Sequence, residues 1–207
     1  MATWPRHELF AFFNALDYPH FNLCATVDVT ALHATIKRVR APLTLAIVYV
    51  LASAANSIPG FRQRIHGQQV VEYAVIDPSM TIPAANDLFS FCTMSYHTRF
   101  GDFAANAAQA IERSRRAPSL SDDGREDIYF MSSIPWVSFT SLSHPIHLRP
   151  VDSVPRFTWG KISENQGALT MPVSVQVHHA LMDGLHVGRF FERVQVALDA
   201  PEETLGV

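Results

Sequence analysis

The sequence predicts an α/β fold: a two-layer sandwich in which helices pack on one face of a mixed β-sheet. Three observations predict it. Segments of period two and segments of helical period are interspersed along the chain, without repeats, linkers or low-complexity stretches. Two of the strand segments, RFTWGKI and ALTMPVSVQV, read as a hairpin across SENQG, which a doubly wound parallel sheet would not contain. The chain has 207 residues, 48% of them hydrophobic, enough for one domain over 1–207 with a sizeable core.

The elements follow in order. FNLCATVDVT alternates polar and apolar residues and predicts a strand. Thr30 is placed as the N-cap of a short helix through Lys37 and Arg38 that ends before Pro42. Leu43 to Ser57 is apolar all round, the pattern of a buried helix, and IPG closes it. FRQRI, VVEYAVI and FSFCTMS read as strands, separated by HGQQ and by the loop DPSMTIPAAND. FGDFAANAAQAIERSRRA carries a helical apolar stripe at Phe100, Phe103, Ala107, Ala110 and Ile111. APSLSDDGRED is a polar loop, and IYFMSSIPWVSFTSL is extended but broken by Pro135. After the hairpin, a helix from Val187 to Leu198 precedes a frayed tail, APEETLGV.

Composition narrows the function. A net charge of −3 and a pI near 6.3 offer no basic stripe for nucleic acid. The densest basic run, Arg113, Arg115 and Arg116, falls at a helix end, where cations belong. Cys24 and Cys92 make neither a disulfide framework nor a zinc pattern. The apolar run 43–55 is far short of the roughly 20 residues that span a bilayer. MATWPRHELF has no basic flank followed by an apolar core, so a cytoplasmic protein is expected.

One stretch is dense in chemistry. In VSVQVHHALMDGLHVGRFF, Val173, Val175 and Val177 alternate with Ser174, Gln176 and His178, after which the period changes to helical. Three readings are open. As a metal site it is weak, because His178 and His179 are adjacent strand residues that point to opposite faces, and no second cluster completes a tetrahedral set. As packing, the histidines fill a strand–helix junction. As catalysis, one histidine is a general base at the strand end, the other turns into the core, and Asp183 and Gly184 shape the turn.

VQVHHALMDGLHVGRF contains the pattern His-His-x-x-x-Asp-Gly, SSIPWVSFTS the pattern Ser-x-x-Pro-Trp-x-x-Phe, FTWGK the pattern Phe-Thr-x-Gly-Lys, and WPRHELF the pattern Trp-x-Arg-x-x-x-Phe. Together these resemble the chloramphenicol acetyltransferases, a branch of the coenzyme A-dependent acyltransferases. The His-His-x-x-x-Asp-Gly core alone is shared with dihydrolipoyl acyltransferases and condensation domains. PGFRQRI and LFSF lie where the family has similar strands, so the resemblance covers essentially the whole chain.

The resemblance implies acetyl transfer from acetyl-CoA to a hydroxyl, with no permanently bound cofactor and no metal. His179 is implied as the base that takes the acceptor's proton, with direct attack on the thioester and no acyl-enzyme. Ser132 matches the hydroxyl that stabilises the tetrahedral oxyanion; read alone, it is a strand-edge serine. Thr158 matches a threonine that holds a water near the intermediate. Asp183 and Arg6 match an ion pair that orients the base's loop, and Trp136 and Lys161 match positions along the coenzyme A tunnel. Phe12, Phe13, Phe89, Phe91, Leu142, His144 and Arg156 match the acceptor pocket. There the chain departs from the pattern. His144 and Arg156 stand where aliphatic residues are expected, Phe91 replaces a small residue, and LSHPIHLRPVDS lacks the usual Asn-rich text. An arginine on that wall would select a polar or anionic hydroxyl compound, unless Asp152 or solvent takes its charge. The family further implies a homotrimer with His179 facing a neighbour's pocket. The alternatives are an acetyltransferase for a different, more polar hydroxyl acceptor, or a non-catalytic trimer of the same fold.

Overall fold

The computed structural model describes residues 4–121, 124–148 and 150–207. In chain order the elements are α1 (His7–Asn14), β1 (His20–Asp28), α2 (Thr30–Val39), α3 (Leu43–Asn56), α4 (Pro59–Arg62), β2 (Gln63–His66), β3 (Gln69–Glu72), β4 (Asp77–Pro83) and β5 (Phe89–Thr93). They continue with α5 (Phe100–Arg116), β6 (Ile128–Ile134), β7 (Arg156–Gly160), β8 (Ser163–Asn165), β9 (Ala168–His178), α6 (Gly184–Asp199) and α7 (Pro201–Leu205). A seven-stranded mixed sheet runs β1-β9-β7-β6-β4-β5, with β8 paired to β9 beside this path. The pairs β4–β6 and β6–β7 are parallel, and the others in this sheet are antiparallel. β2 and β3 form a separate small hairpin.

Alternation decides which face of the sheet is core. Met131, Phe157, Val173, Val175 and Val177 are at most 2% exposed and join the buried faces of α3, α5 and α6 in one cluster. Helix α3 has no polar face to give to water, and ten of its fourteen residues are buried, which seats it at the centre of that layer. Helix α5 is amphipathic and buries only Phe100, Phe103, Ala107 and Ala110; Ile111 packs on the rim. Its last turn carries Arg113, Arg115 and Arg116 against the carbonyl end of the helix. Among the described residues no helix is long and apolar enough to cross a membrane.

The structure corrects several element boundaries. The segment read as the loop DPSMTIPAAND contains β4, which lies between β5 and β6 in the sheet. Pro78 and Pro83 lie towards its two ends, leaving a short interior whose Ser79, Met80 and Ile82 are buried. Of VVEYAVI only residues 70–72 are strand, the end of β3, and in FRQRI the strand starts at Gln63, after the single turn of α4. Thr30 is the first residue of α2, not its N-cap: the Asp28 carboxylate accepts from the Thr30 N–H at 2.8 Å, while the Thr30 hydroxyl accepts from Leu169 N–H. Helix α6 begins three residues before Val187, because Asp183 caps it. The tail is not frayed, since Pro201 starts α7 and both Pro201 and Leu205 are buried. Helix α1, unassigned from sequence, buries only Phe10. After Pro135 the chain leaves the sheet and passes over it with no helix or strand among the described residues before β7. A Cβ added to Gly160 would stand 2.8 Å from the Val137 carbonyl oxygen, so this crossing is tight enough to require a glycine beneath it.

Candidate active site

On the face of the sheet away from the helices, polar side chains gather on β1, β9, β7 and β6, and register explains it. In-register residues on neighbouring strands share a face. Ser132 pairs with Thr158, Thr158 with Ser174, and Ser174 with Cys24, giving one row of small hydroxyl and thiol side chains across four strands. Thr81 extends the row, its hydroxyl 3.2 Å from that of Ser132. Two residues along, Phe130, Arg156, Gln176 and Asn22 form the next row. A cavity of about 800 Å³ opens on this face, lined by Ser132, Trp136, Phe89, Phe91, His144 and Arg156 among others.

Two basic residues sit on the cavity wall, and each has a definite set of partners. Arg156, 7% exposed, forms an ion pair with Asp152 through Nη2, donates from Nη1 to the Val154 carbonyl at 2.9 Å, and lies 5.1 Å over the Phe130 ring. Asp152, four residues upstream, is therefore the carboxylate that takes the arginine's charge. His144 Nε2 is 2.8 Å from the Thr158 hydroxyl, itself wholly buried. Burial, reinforced by the nearby Arg156 charge, pushes the His144 pKa down to about 4.

The histidine pair lies elsewhere. His178, the last residue of β9, is fully buried, and its Nδ1 accepts from the Ala180 N–H at 3.2 Å. Its ring meets His20 edge-on, with centroids 5.0 Å apart, and burial followed by His20 repulsion lowers its pKa to about 4. His20 in turn donates from Nε2 to the Asp152 carbonyl at 2.7 Å. His179 turns the other way. Its ring stacks face to face on Phe13 with centroids 3.8 Å apart and leans on Phe21 at 4.7 Å; its backbone N–H donates to Pro19 O at 2.7 Å. Two aromatic walls thus hold one imidazole orientation. Nδ1 of this ring has no partner among the described residues.

The turn after His179 is fastened from both sides. Asp183 Oδ2 accepts from Arg6 Nη1 at 2.8 Å, while Oδ1 accepts from the Leu185 N–H at 3.0 Å and lies 2.8 Å from His186 Nδ1. Burial would raise this carboxyl's pKa, but the hydrogen bonds from Arg6 and His186 outweigh it and hold the group well below the usual carboxylate range.

The residues singled out from sequence therefore fall into two groups. Ser132, Trp136, Phe89, Phe91, His144 and Arg156 line the cavity. Thr158 reaches it through His144. His179, Phe12, Phe13, Asp183 and Arg6 gather at the far end of β9, with Phe12 edge-on to Phe13 at 5.1 Å. Ser174 is level with Ser132, and His179 lies five residues further along, roughly 17 Å at the usual strand rise. Leu142 and Lys161 belong to neither group. The Leu142 carbonyl accepts from the Ser174 hydroxyl at 3.1 Å, and exposed Lys161 bonds through its backbone N–H to Val137 O at 2.9 Å. Sequence reasoning passed over Gln176, Thr81 and His20, although the alternation of Ser174, Gln176 and His178 had already marked one face of β9 as polar.

Comparison with known proteins agrees with this architecture. A solved chloramphenicol acetyltransferase superposes with a TM-score of 0.89 at 28% identity, covering 95% of this chain and 96% of that one. A chloramphenicol acetyltransferase of Streptomyces acrimycini is 32% identical over 211 residues, 97% of this chain and 93% of the relative. One from Bacillus pumilus is 29% identical over 203 residues, 97% and 92% of the two chains. Fold and relatives together make this chain an acyltransferase. The family model for chloramphenicol acetyltransferase matches residues 1–195, and the chain belongs to that family.

Proposed function

We propose that residues 1–207 act as one domain that moves an acetyl group from acetyl-CoA to a hydroxyl of a small acceptor, chloramphenicol in the first instance. His179 is the general base in this reading. Its ring takes the proton from the acceptor hydroxyl as that oxygen attacks the thioester carbonyl. The Ser132 hydroxyl donates to the oxyanion of the tetrahedral intermediate, a contact worth about 3 kcal/mol in comparable sites. Collapse expels the thiolate of coenzyme A, which takes back the proton held on His179. No acyl-enzyme forms and no metal or resident cofactor is needed. The observation that carries the assignment is the setting of His179: an imidazole fixed between Phe13 and Phe21, on a turn tied by Asp183 to Arg6.

His179 and Ser132 stand too far apart within one chain to serve one reaction. The reading therefore places the site between subunits, in the cytoplasmic homotrimer that the family resemblance implies, with the His179 end of one subunit facing the cavity of the next. Exposed Phe12 and Leu16 at the His179 end, 64% and 43% exposed, favour such a contact. Thiol release from acetyl-CoA, measured with and without chloramphenicol, tests the proposal; release that does not depend on the acceptor refutes it. A second reading, a more polar hydroxyl acceptor, is favoured by His144 on the cavity wall.

A further inference from the structure

What the cavity offers an acceptor depends on which of its polar groups are already engaged. Arg156 is engaged, by Asp152, by the Val154 carbonyl and by the face of Phe130. An incoming carboxylate would meet Asp152 as well as Arg156, and the two fields largely cancel. An incoming ammonium would likewise meet both charges of the Arg156–Asp152 pair, while the cavity wall's other carboxylate, Asp87, lies exposed on the connection between β4 and β5. The arginine on the wall is therefore no anion clamp.

His144 is only half engaged. Nε2 is held by the Thr158 hydroxyl at 2.8 Å, and Nδ1 has no partner among the described residues. Its backbone is clamped to the sheet by one side chain, because the Gln176 amide accepts from the His144 N–H at 2.6 Å and donates to its carbonyl at 3.3 Å. The imidazole is thus fixed from its backbone and from its tip. A depressed pKa of about 4 leaves it neutral at working pH, with one donor and one acceptor nitrogen. Whichever role Nε2 takes towards Thr158, donor or acceptor, Nδ1 is left with the other.

Building on the acetyl-transfer reading, we propose that His144 determines acceptor specificity: one ring nitrogen fixes the Thr158 hydroxyl in the row beside Ser132, and the other reads an uncharged hydrogen-bonding group on the acceptor. What this wall selects is a neutral acceptor whose substituent at that end is polar and non-ionic. Acceptors carrying a carboxylate or an ammonium at that end are discriminated against.

The test uses chloramphenicol and two analogues in which the nitro group is replaced by a carboxylate or an aminomethyl group. Wild type, His144→Leu and His144→Gln are compared by acetyl transfer and by calorimetric binding. Wild type binds chloramphenicol at least about tenfold more tightly than either ionic analogue. His144→Leu raises the KM for chloramphenicol roughly three- to tenfold, the loss of one neutral hydrogen bond, and leaves the KM for acetyl-CoA unchanged. His144→Gln, which keeps a donor and an acceptor, restores most of the difference. Equal wild-type affinity for an ionic analogue overturns the proposal, and so does an unchanged chloramphenicol KM in His144→Leu. Calorimetry needs no turnover, so an absence of acetyl transfer sinks the reading on which this one rests while the binding order still judges His144. Should the leucine variant fail to fold, the wild-type order and the glutamine variant decide.

Discussion

Replacing Asp183 separates the two jobs this carboxylate does. Asp183→Asn keeps an oxygen that caps α6, since Asn and Asp are comparable N-caps. It loses the charge facing Arg6, and its amide puts a donor against a guanidinium whose Nε and Nη2 have no partner among the described residues. A hydrogen bond between charged groups contributes about 1.5–3 kcal/mol when buried. With Asp183 33% exposed, about 1–2 kcal/mol remains after screening. Asp183→Ala also removes the cap, adding about 1 kcal/mol. At about 2–4 °C per kcal/mol for a chain of this size, Tm falls by about 2–8 °C for Asn and about 4–12 °C for Ala. The sign with pH follows from the depressed carboxyl. Its contribution is complete above the ordinary carboxylate pKa near 4 and is lost as pH falls below that value towards the folded pKa. Urea denaturation at pH 7 and pH 3 is the assay, and the gap between wild type and Asp183→Asn narrows at pH 3. Identical losses for Asn and Ala, or a gap independent of pH, refute this division of labour.

Other perturbations have equally definite outcomes. His179→Ala lowers kcat by about 10²–10⁴-fold with Tm nearly unchanged, and retention of more than a tenth of wild-type kcat contradicts the general-base role. Arg156→Val, harmless for an arginine that reached solvent along its stem, instead takes the counter-ion from half-buried Asp152, which keeps the Val154 N–H, and costs about 3 kcal/mol; adding Asp152→Asn recovers most of it in thermal melts. His178 and His144, with pKa values near 4 against an unfolded value near 6.5, make the fold lose stability as pH falls through that interval. His178→Leu flattens the profile between pH 7 and pH 5, read from denaturant midpoints.

The parts of the fold that were legible in the sequence are those where a single period runs uninterrupted. The valines of β9 and the apolar stripe of α5 each specify one buried face by themselves. Strand β4 was not legible, because prolines near its ends mimic a loop and its short interior gains its burial only from the neighbours on either side. α7 was hidden likewise, as a single turn held by Pro201 and Leu205 against the body of the domain. At the site, the local pair Asp152–Arg156 was within reach, four residues apart. The contacts of His144 with Thr158 and Gln176 were not, since they exist only once the irregular segment after Pro135 folds back over the sheet. Motif resemblance named His179 and Ser132 together and implied that they meet between subunits; the register of β6, β7 and β9 adds how far apart one chain holds them.

That separation has a consequence for mixed populations of subunits. If each site borrows its imidazole from one chain and its Ser132 from the next, two inactive proteins can repair one another. His179→Ala subunits keep an intact cavity, and Ser132→Ala subunits keep an intact base. Co-expressed in equal amounts and assembled at random, about a quarter of the interfaces join a sound half from each parent. A cell carrying both dead alleles would regain about that share of wild-type activity, whereas lysates mixed after assembly would stay inactive for as long as subunits do not exchange.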